Sequence, residues 1–361
     1  MRGDGGRVRA AGCGGAWIRY ALGVVAALAG IVLLLVAALT VNALSRRDHV
    51  ASVSAHPVAP ATGQAVVDRP LTSAGCGKSA PLPAGTTGSG TLVSGGLVRS
   101  YRLHVPIRYQ PTHPYPLVLN FHGHGSTAIH QEAATGFSRL ADQHGFIVTY
   151  PQGIVGPDGR TGWGSGGPHK PHVDDVLFVS DLITALQNKL CVDPSRIYAT
   201  GFSNGGGLTS VLACRLAGRI AAFAPVSGSY FTPPGGCWPV RPTPILEIHG
   251  TGDGVVPYGG EQAIHLIGAW SWVRAWAQRD NCATTPAEIV SHGGVSEFQW
   301  HGCRGGATVI HYRIAGGAHV WPGAAGAPRA DASLGASAVI WDFFAAHALP
   351  SATSPAPSRS T

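Results

Sequence analysis

Short apolar runs and helix-spaced segments take turns along most of this chain, and that alternation constrains its fold more than any other feature. Leu117-Val118-Leu119-Asn120-Phe121, Phe146-Ile147-Val148-Thr149-Tyr150, Arg196-Ile197-Tyr198-Ala199-Thr200, Pro244–His249 and Ala307–Ile314 read as buried strands. Between and after them, Ala128–His144, Val176–Leu190, the stretch from Gly201 through Leu216, Glu261–Arg279 and Asp331–His347 read as helices. In the second of these, Val179, Leu182, Ile183, Leu186 and Leu190 share one face, and Asp174 and Asp175 supply a helix start. Apolar strands separated by helices predict an α/β fold, a mostly parallel central sheet covered by helices on both faces. On such a sheet, reactive groups gather at the carboxyl ends of the strands.

The flanks differ in composition. Residues 1–45 read as an export signal or membrane anchor, 46–74 as an Ala/Pro/Ser-rich linker, 75–349 as the catalytic domain and 350–361 as a disordered Pro/Ser/Thr tail. Of the net charge of +7, +5 comes from residues 1–47, where six arginines face one acid, Asp4. No basic stripe is left in the remainder, which argues against nucleic acid as a partner. The apolar run Tyr20–Val41 follows four of those arginines. It is long enough to span a bilayer, and the basic flank places its amino end in the cytoplasm. Val41-Asn42-Ala43 offers a cleavage point, so a cleaved signal and a retained anchor both stand. Either way, the domain beyond lies outside the cell, secreted or tethered, and membrane contact is expected only through the N-terminal segment. Cys13 precedes the apolar run, which is the wrong side for a lipid-modified cysteine. The other six cysteines, Cys76, Cys191, Cys214, Cys237, Cys282 and Cys303, suit three disulfides in an oxidising compartment, with fifteen connectivities open.

Gly201-Phe202-Ser203-Asn204-Gly205 is the only Gly-x-Ser-x-Gly in the chain, and it falls between a strand and a helix, where a nucleophile elbow sits. A serine hydroxyl needs a base to take its proton. His319, in the loop Gly316–Gly323 just past the last predicted strand, is the candidate base. Asp253, just past the strand Pro244–His249, is the candidate acid that fixes the imidazole's tautomer. The chain order Ser, acid, His is that of an α/β-hydrolase. An oxyanion would be held by the amide of Asn204 and by that of His124 or Gly125, in Phe121-His122-Gly123-His124-Gly125-Ser126. Reading His122 and His124 as metal ligands lacks a supporting set such as His-Glu-x-x-His, so no metal and no cofactor is expected. Trp163, within a glycine-rich loop, and Trp321 are candidates for the substrate cleft.

Together these segments resemble the secreted α/β-hydrolase esterases described as polyhydroxybutyrate depolymerases, a family that also includes feruloyl and acetylxylan esterases. The resemblance rests on Gly201–Gly205, His249–Pro257, Gly316–Gly323 and Phe121–Gly125, with Cys76-Gly77-Lys78, Asp174-Asp175-Val176 and Val192-Asp193-Pro194-Ser195-Arg196 as further matches. It covers residues 75–347 and implies an α/β-hydrolase fold with the triad on Ser203, Asp253 and His319. His124 departs from it, since a small residue or cysteine is usual there. The resemblance implies a serine carboxylic ester hydrolase acting on small or oligomeric esters, feruloyl or acetyl esters of polysaccharide or hydroxyalkanoate polyesters. No second folded domain for a polymer surface is legible, which favours soluble or oligomeric esters. A serine peptidase on the same fold and a catalytically silent envelope binding protein are the rival readings. For the cysteines, a strand rising from Cys191 and a helix descending to Cys214 suggest that pair. Cys282 and Cys303 flank one segment, which leaves Cys76 with Cys237.

Overall fold

The computed structural model describes residues 66–167, 171–290 and 292–350. The expected export segment or anchor, the linker as far as residue 65 and the tail from 351 lie outside the described residues. Chain order begins with β1 (Thr86–Ser94), β2 (Leu97–Val105) and β3 (Tyr115–Phe121), then helices α1 (Ala128–Thr135) and α2 (Phe137–His144). β4 (Ile147–Pro151), a small hairpin of β5 (Ile154–Val155) and β6 (Thr161–Gly162), α3 (Asp175–Lys189), β7 (Val192–Phe202) and α4 (Asn204–Arg215) follow. The last third holds β8 (Ala222–Val226), β9 (Ile245–Gly250), a second small hairpin of β10 (Gly260–Glu261) and β11 (Leu266–Ile267), and α5 (Ala269–Arg279). It closes with β12 (Ala287–Val290), β13 (Val295–Trp300), β14 (Val309–Ile314) and α6 (Ala336–Ala345).

Ten strands form one sheet in the order β1-β2-β4-β3-β7-β8-β9-β14-β13-β12. From β4 to β14 every neighbour is parallel, and both ends of the sheet are antiparallel. The expected mostly parallel sheet is therefore present. Its strands alternate between two cores. Leu117, Leu119, Phe121, Ile197 and Ala199 pack with Phe178, Leu182 and Leu186 of α3, Leu208 and Leu212 of α4, and Trp272 and Trp276 of α5. Val118, Val148, Tyr198, Ala224 and Val226 face the opposite side, against Phe137 and Ala141 of α2 and Ile340, Trp341 and Phe344 of α6. Each fully buried side chain of this size contributes roughly 1.5–3 kcal/mol, so both layers hold the sheet.

Several expected elements differ from those observed. The helix over Ala128–His144 is two helices, because Gly136 takes φ 63° and ends α1 with its amide bonded to the Glu132 carbonyl. Glu261–Arg279 is α-helical only from Ala269, and its first residues form the β10/β11 hairpin, with a 3-10 turn at Gln262–Ile264 between the two strands. The closing helix begins at Ala336, after a single 3-10 turn at Asp331–Ser333. Residues 66–74, within the stretch read as linker, lie against the domain. The Val67 amide donates to Ser180 Oγ at 3.0 Å, and Asp68 Oδ1 accepts from the Gly218 amide at 2.7 Å.

The disulfides join Cys76 to Cys191, Cys214 to Cys237 and Cys282 to Cys303. The last pair matches expectation. Cys191–Cys214 and Cys76–Cys237 do not form, because the segment before Cys76 is laid along the end of α3. The Gly75 amide donates to the Gln187 carbonyl at 2.8 Å, and Ser73 Oγ donates to the Leu190 carbonyl at 2.6 Å. That places Cys76 beside Cys191 and leaves Cys214, at the end of α4, for Cys237 in the loop after β8.

Candidate active site

The parallel strands β3, β7, β9 and β14 end along one edge, and the loops that follow them carry the expected site residues. Ser203 caps α4 directly after β7, with φ 56° and ψ −119°. A non-glycine residue rarely adopts this conformation, and it persists where surrounding contacts enforce it. Here the Ser203 amide donates to the Val226 carbonyl at 3.0 Å, and its own carbonyl accepts from the Gly207 and Ser229 amides at 2.9 and 3.2 Å. The flanking glycines are needed for close approach. A Cβ on Gly205 would overlap the carbonyls of Phe121 and His122, and one on Gly201 would overlap that of Gly205. The first turn of α4 is thus pressed against the end of β3, with its positive dipole end beside the Ser203 hydroxyl.

His319 and Asp253 reach that hydroxyl from the neighbouring loops. Their loops are laced together, with the Thr251 amide on the Ile314 carbonyl, Gly252 on Gly317, each at 2.9 Å, and Gly316 on Thr251 Oγ1 at 2.8 Å. His319 Nε2 lies 2.9 Å from Ser203 Oγ, and His319 Nδ1 lies 2.7 Å from Asp253 Oδ2. A carboxylate accepts only, so Nδ1 carries the proton and Nε2 is left to accept from Oγ. The other carboxylate oxygen, Oδ1, accepts from the Val255 and Val256 amides at 2.9 and 2.7 Å. Burial alone would raise the Asp253 carboxyl, but hydrogen bonds from His249 and His319 outweigh it and hold the group well below the usual carboxylate range.

The loop after β3 is fixed by a histidine whose ring nitrogens meet only backbone and Gln152 and whose ring packs against Trp163. His122 Nε2 accepts from the Gly153 amide at 2.9 Å, so its proton sits on Nδ1, which donates to the Gly123 carbonyl at 2.7 Å. Burial pushes its pKa down to about 4, keeping this neutral tautomer. Of the two expected oxyanion donors in this loop, Gly125 is unsuited. Its amide is already bonded to the Thr161 carbonyl at 2.7 Å, which ties the loop to the β5/β6 hairpin. His124 borders the cleft, with Nε2 2.7 Å from Asp158 Oδ2. Asn204 stands at the start of α4, and its side chain clamps the adjoining loop. Oδ1 accepts from the Trp163 amide at 2.8 Å, and Nδ2 donates to Ser165 Oγ at 2.7 Å.

Trp163 does not line the cleft, contrary to expectation. It is fully buried, its indole N–H bonded to the His122 carbonyl at 2.8 Å and its ring stacked on Phe178. Trp321 does border the cleft, a pocket of about 670 Å³ over Ser203. Ala134, Val320, Ala324 and Ala325 make much of its wall apolar, and Arg160 stands at its edge. Among the described residues, no group of three or more His, Cys, Asp or Glu side chains is arranged to hold a metal ion. Sequence reasoning missed the surroundings of Asp253. His249 Nε2 lies 3.3 Å from Asp253 Oδ2, and Glu247 stands behind His249. The only hint was a histidine at the end of the strand before Asp253.

A parallel sheet with a serine elbow after a central strand, and an acid and a histidine after two later strands, defines a protein of the α/β-hydrolase class. Within that class, residues 99–235 match the family described as esterase PHB depolymerase, the family that the motifs resemble. Feruloyl esterase B of Piromyces equi is 34% identical over 245 residues, 65% of this chain and 42% of that protein. A probable feruloyl esterase C of Aspergillus niger is 29% identical over 283 residues, 76% of this chain and 91% of that one. Among solved structures, an acetyl xylan esterase from Aspergillus awamori aligns with a TM-score of 0.47 at 16% identity, over 62% of this chain and 90% of that chain. The chain spans less than half the length of the Piromyces relative.

Proposed function

We propose that this protein is an exported serine esterase, hydrolysing carboxylic esters through an acyl-enzyme on Ser203. The observation that carries the reading is the continuous chain from Ser203 Oγ to His319 Nε2 at 2.9 Å and from His319 Nδ1 to Asp253 Oδ2 at 2.7 Å. His319 takes the Ser203 proton as Oγ attacks the ester carbonyl, and Asp253 stabilises the imidazolium that results. The amides of Asn204 and His124 are the donors assigned to the tetrahedral oxyanion. His319 then passes its proton to the departing alcohol, and water, activated by the same base, releases the acid. The mechanism calls for no cofactor.

Three disulfides support an oxidising, extracellular setting. The apolar cleft suits an acyl group with hydrocarbon character. The names of the relatives point to feruloyl esters, or acetyl esters of polysaccharide, and the family description to hydroxyalkanoate esters. The test is hydrolysis of p-nitrophenyl acetate and butyrate, methyl ferulate and a hydroxybutyrate oligomer by the purified protein beside Ser203→Ala. Turnover of at least one ester is expected, with a loss of at least about a thousandfold in the variant. A folded, disulfide-bonded wild type that is inert on the whole panel and takes up no fluorophosphonate would end the esterase reading.

A further inference from the structure

A second buried acid–histidine system lies directly behind Asp253, and the mechanism above makes no use of it. Glu247 and His249 are on β9, and His311 is beside them on β14, all essentially without solvent exposure. His249 Nε2 faces the Val256 carbonyl at 2.9 Å and Asp253 Oδ2 at 3.3 Å, both of which only accept. A proton therefore sits on Nε2. On the other side of the ring, Nδ1 lies 3.1 Å from Glu247 Oε1.

The state of Glu247 follows from its own neighbours. Tyr230 donates its hydroxyl to Oε1 at 2.9 Å, and His311 Nδ1 lies 2.6 Å from Oε2. Tyr258 stands 2.8 Å from His311 Nε2, so its hydroxyl can donate there and leave the His311 proton on Nδ1, toward Glu247. Apart from His249, Glu247 thus has the Tyr230 hydroxyl donating to Oε1 and the His311 ring within ion-pair distance of Oε2, surroundings that favour the ionised carboxylate. The ring of His249 then bears protons on both nitrogens. An imidazolium between Glu247 and Asp253 also answers the high cost of burying two carboxylates near each other without a cation.

We propose that His249 is a positioning residue, an imidazolium wedged between two buried carboxylates that holds Asp253 ionised and oriented toward His319. The inference rests on the triad reading of the preceding section. Burial by itself would lower His249, yet the hydrogen bonds to Asp253 and Glu247 and the Glu247 charge raise it to about 10. Burial would likewise raise Glu247, and the His311 and His249 contacts hold it at about 2. The groups facing His249 are Glu247 on its own strand, Asp253 and Tyr258 from the loop after β9, and, through Glu247, Tyr230 and His311. The consequence falls on the base. A cation bound to Asp253 offsets part of the negative charge that favours protonated His319, so the protein keeps a neutral base to lower pH.

The experiment is the pH profile of kcat/KM for p-nitrophenyl acetate with the wild type and His249→Gln. Removing a unit charge this close should move the acid limb up by about one pH unit, a shift that a purely structural role would not produce. An active, folded variant whose acid limb coincides with that of the wild type overturns the proposal. Imidazole NMR of the histidine-labelled wild type at pH 8 gives a readout independent of both activity and the variant's folding. One ring protonated on both nitrogens is expected, where exposed histidines are neutral. If every imidazole is neutral at pH 8, the proposal fails, whether or not the variant folds. A wild type that hydrolyses no ester would remove the triad reading instead, and the NMR result would still decide the charge on His249.

Discussion

At the scale of single residues, the arrangement around Asp253 makes a sharp demand on the carboxylate. Three donors bond its two oxygens, the Val255 and Val256 amides on Oδ1 and the His319 ring on Oδ2, and the His249 ring stands 3.3 Å from Oδ2 as an ion-pair partner. In Asp253→Asn the carboxamide oxygen stays with the two amides, and its NH₂ group then faces two ring nitrogens. His319 must turn its lone pair to Nδ1, and its Nε2 proton points at Ser203. Loss of kcat by about 10⁴ is expected with little change in KM, measured on the best ester of the panel. A variant within about tenfold of wild type would show that the tautomer is set by something other than Asp253. The convergence of Ser203, Asp253 and His319 was legible in the sequence because each follows a strand, in the order typical of the fold. Trp163 was misread for a physical reason. Flanking glycines made it look like a loop aromatic, and nothing in the sequence shows that its indole is drawn inward by the His122 carbonyl. Gly125 was misjudged likewise, since its amide is spent on a hairpin that only the folded chain brings near.

At the scale of elements, the disulfides differ in what they constrain. Cys76–Cys191 closes a separation of 115 residues, against 23 for Cys214–Cys237 and 21 for Cys282–Cys303. On chain entropy alone the first is worth about 5 kcal/mol and the others about 3 kcal/mol each. The double variant Cys76→Ser/Cys191→Ser should therefore lower the denaturant midpoint more than Cys282→Ser/Cys303→Ser does. The reverse order would mean that the contacts of residues 66–75 with α3, not the bond, hold that segment. The same segment explains why the pairing was not legible. Its anchors, Ser73, Gly75 and Asp68, are small or polar residues in a stretch whose composition looks like linker. Five of the six parallel strands were legible because burial on both faces leaves continuous apolar runs; β8, the short stretch Ala-Phe-Ala-Pro-Val, was not, since two small residues and a proline interrupt its apolar run. β1 was hidden for the converse reason, since its sequence, Thr-Thr-Gly-Ser-Gly-Thr-Leu-Val-Ser, is that of a partly exposed edge strand. The break at Gly136 escaped a reading based on periodicity, because one glycine between two apolar helical segments leaves the apolar positions in place.

For the whole molecule, the buried ionisable groups set how stability depends on pH, and their signs do not all agree. His249 is raised from 6.5 to about 10 in the fold, so its contribution is complete below pH 6.5 and is lost as pH climbs through about 10. Glu247 is lowered from 4.5 to about 2, so its contribution is complete above pH 4.5 and is lost as pH falls toward 2. Between those limits two other groups oppose each other. His122, lowered by burial from 6.5 to about 4, costs stability as pH falls through that range. Asp280, raised by burial from 3.8 to about 6, returns stability over nearly the same range. Asp68 and Asp175 are raised by burial like Asp280, and His347 is lowered like His122, so opposing signs predict a Tm that changes little from about pH 4.5 to 6.5 and declines on both sides. The alkaline decline belongs chiefly to His249, so His249→Gln should start from a lower Tm yet lose less of it between pH 6.5 and 10. Calorimetry of the two proteins across that range decides the matter. Parallel alkaline declines would place the titrating group elsewhere in the fold and would separate the stability of this hydrolase sheet from the charge buried behind Asp253.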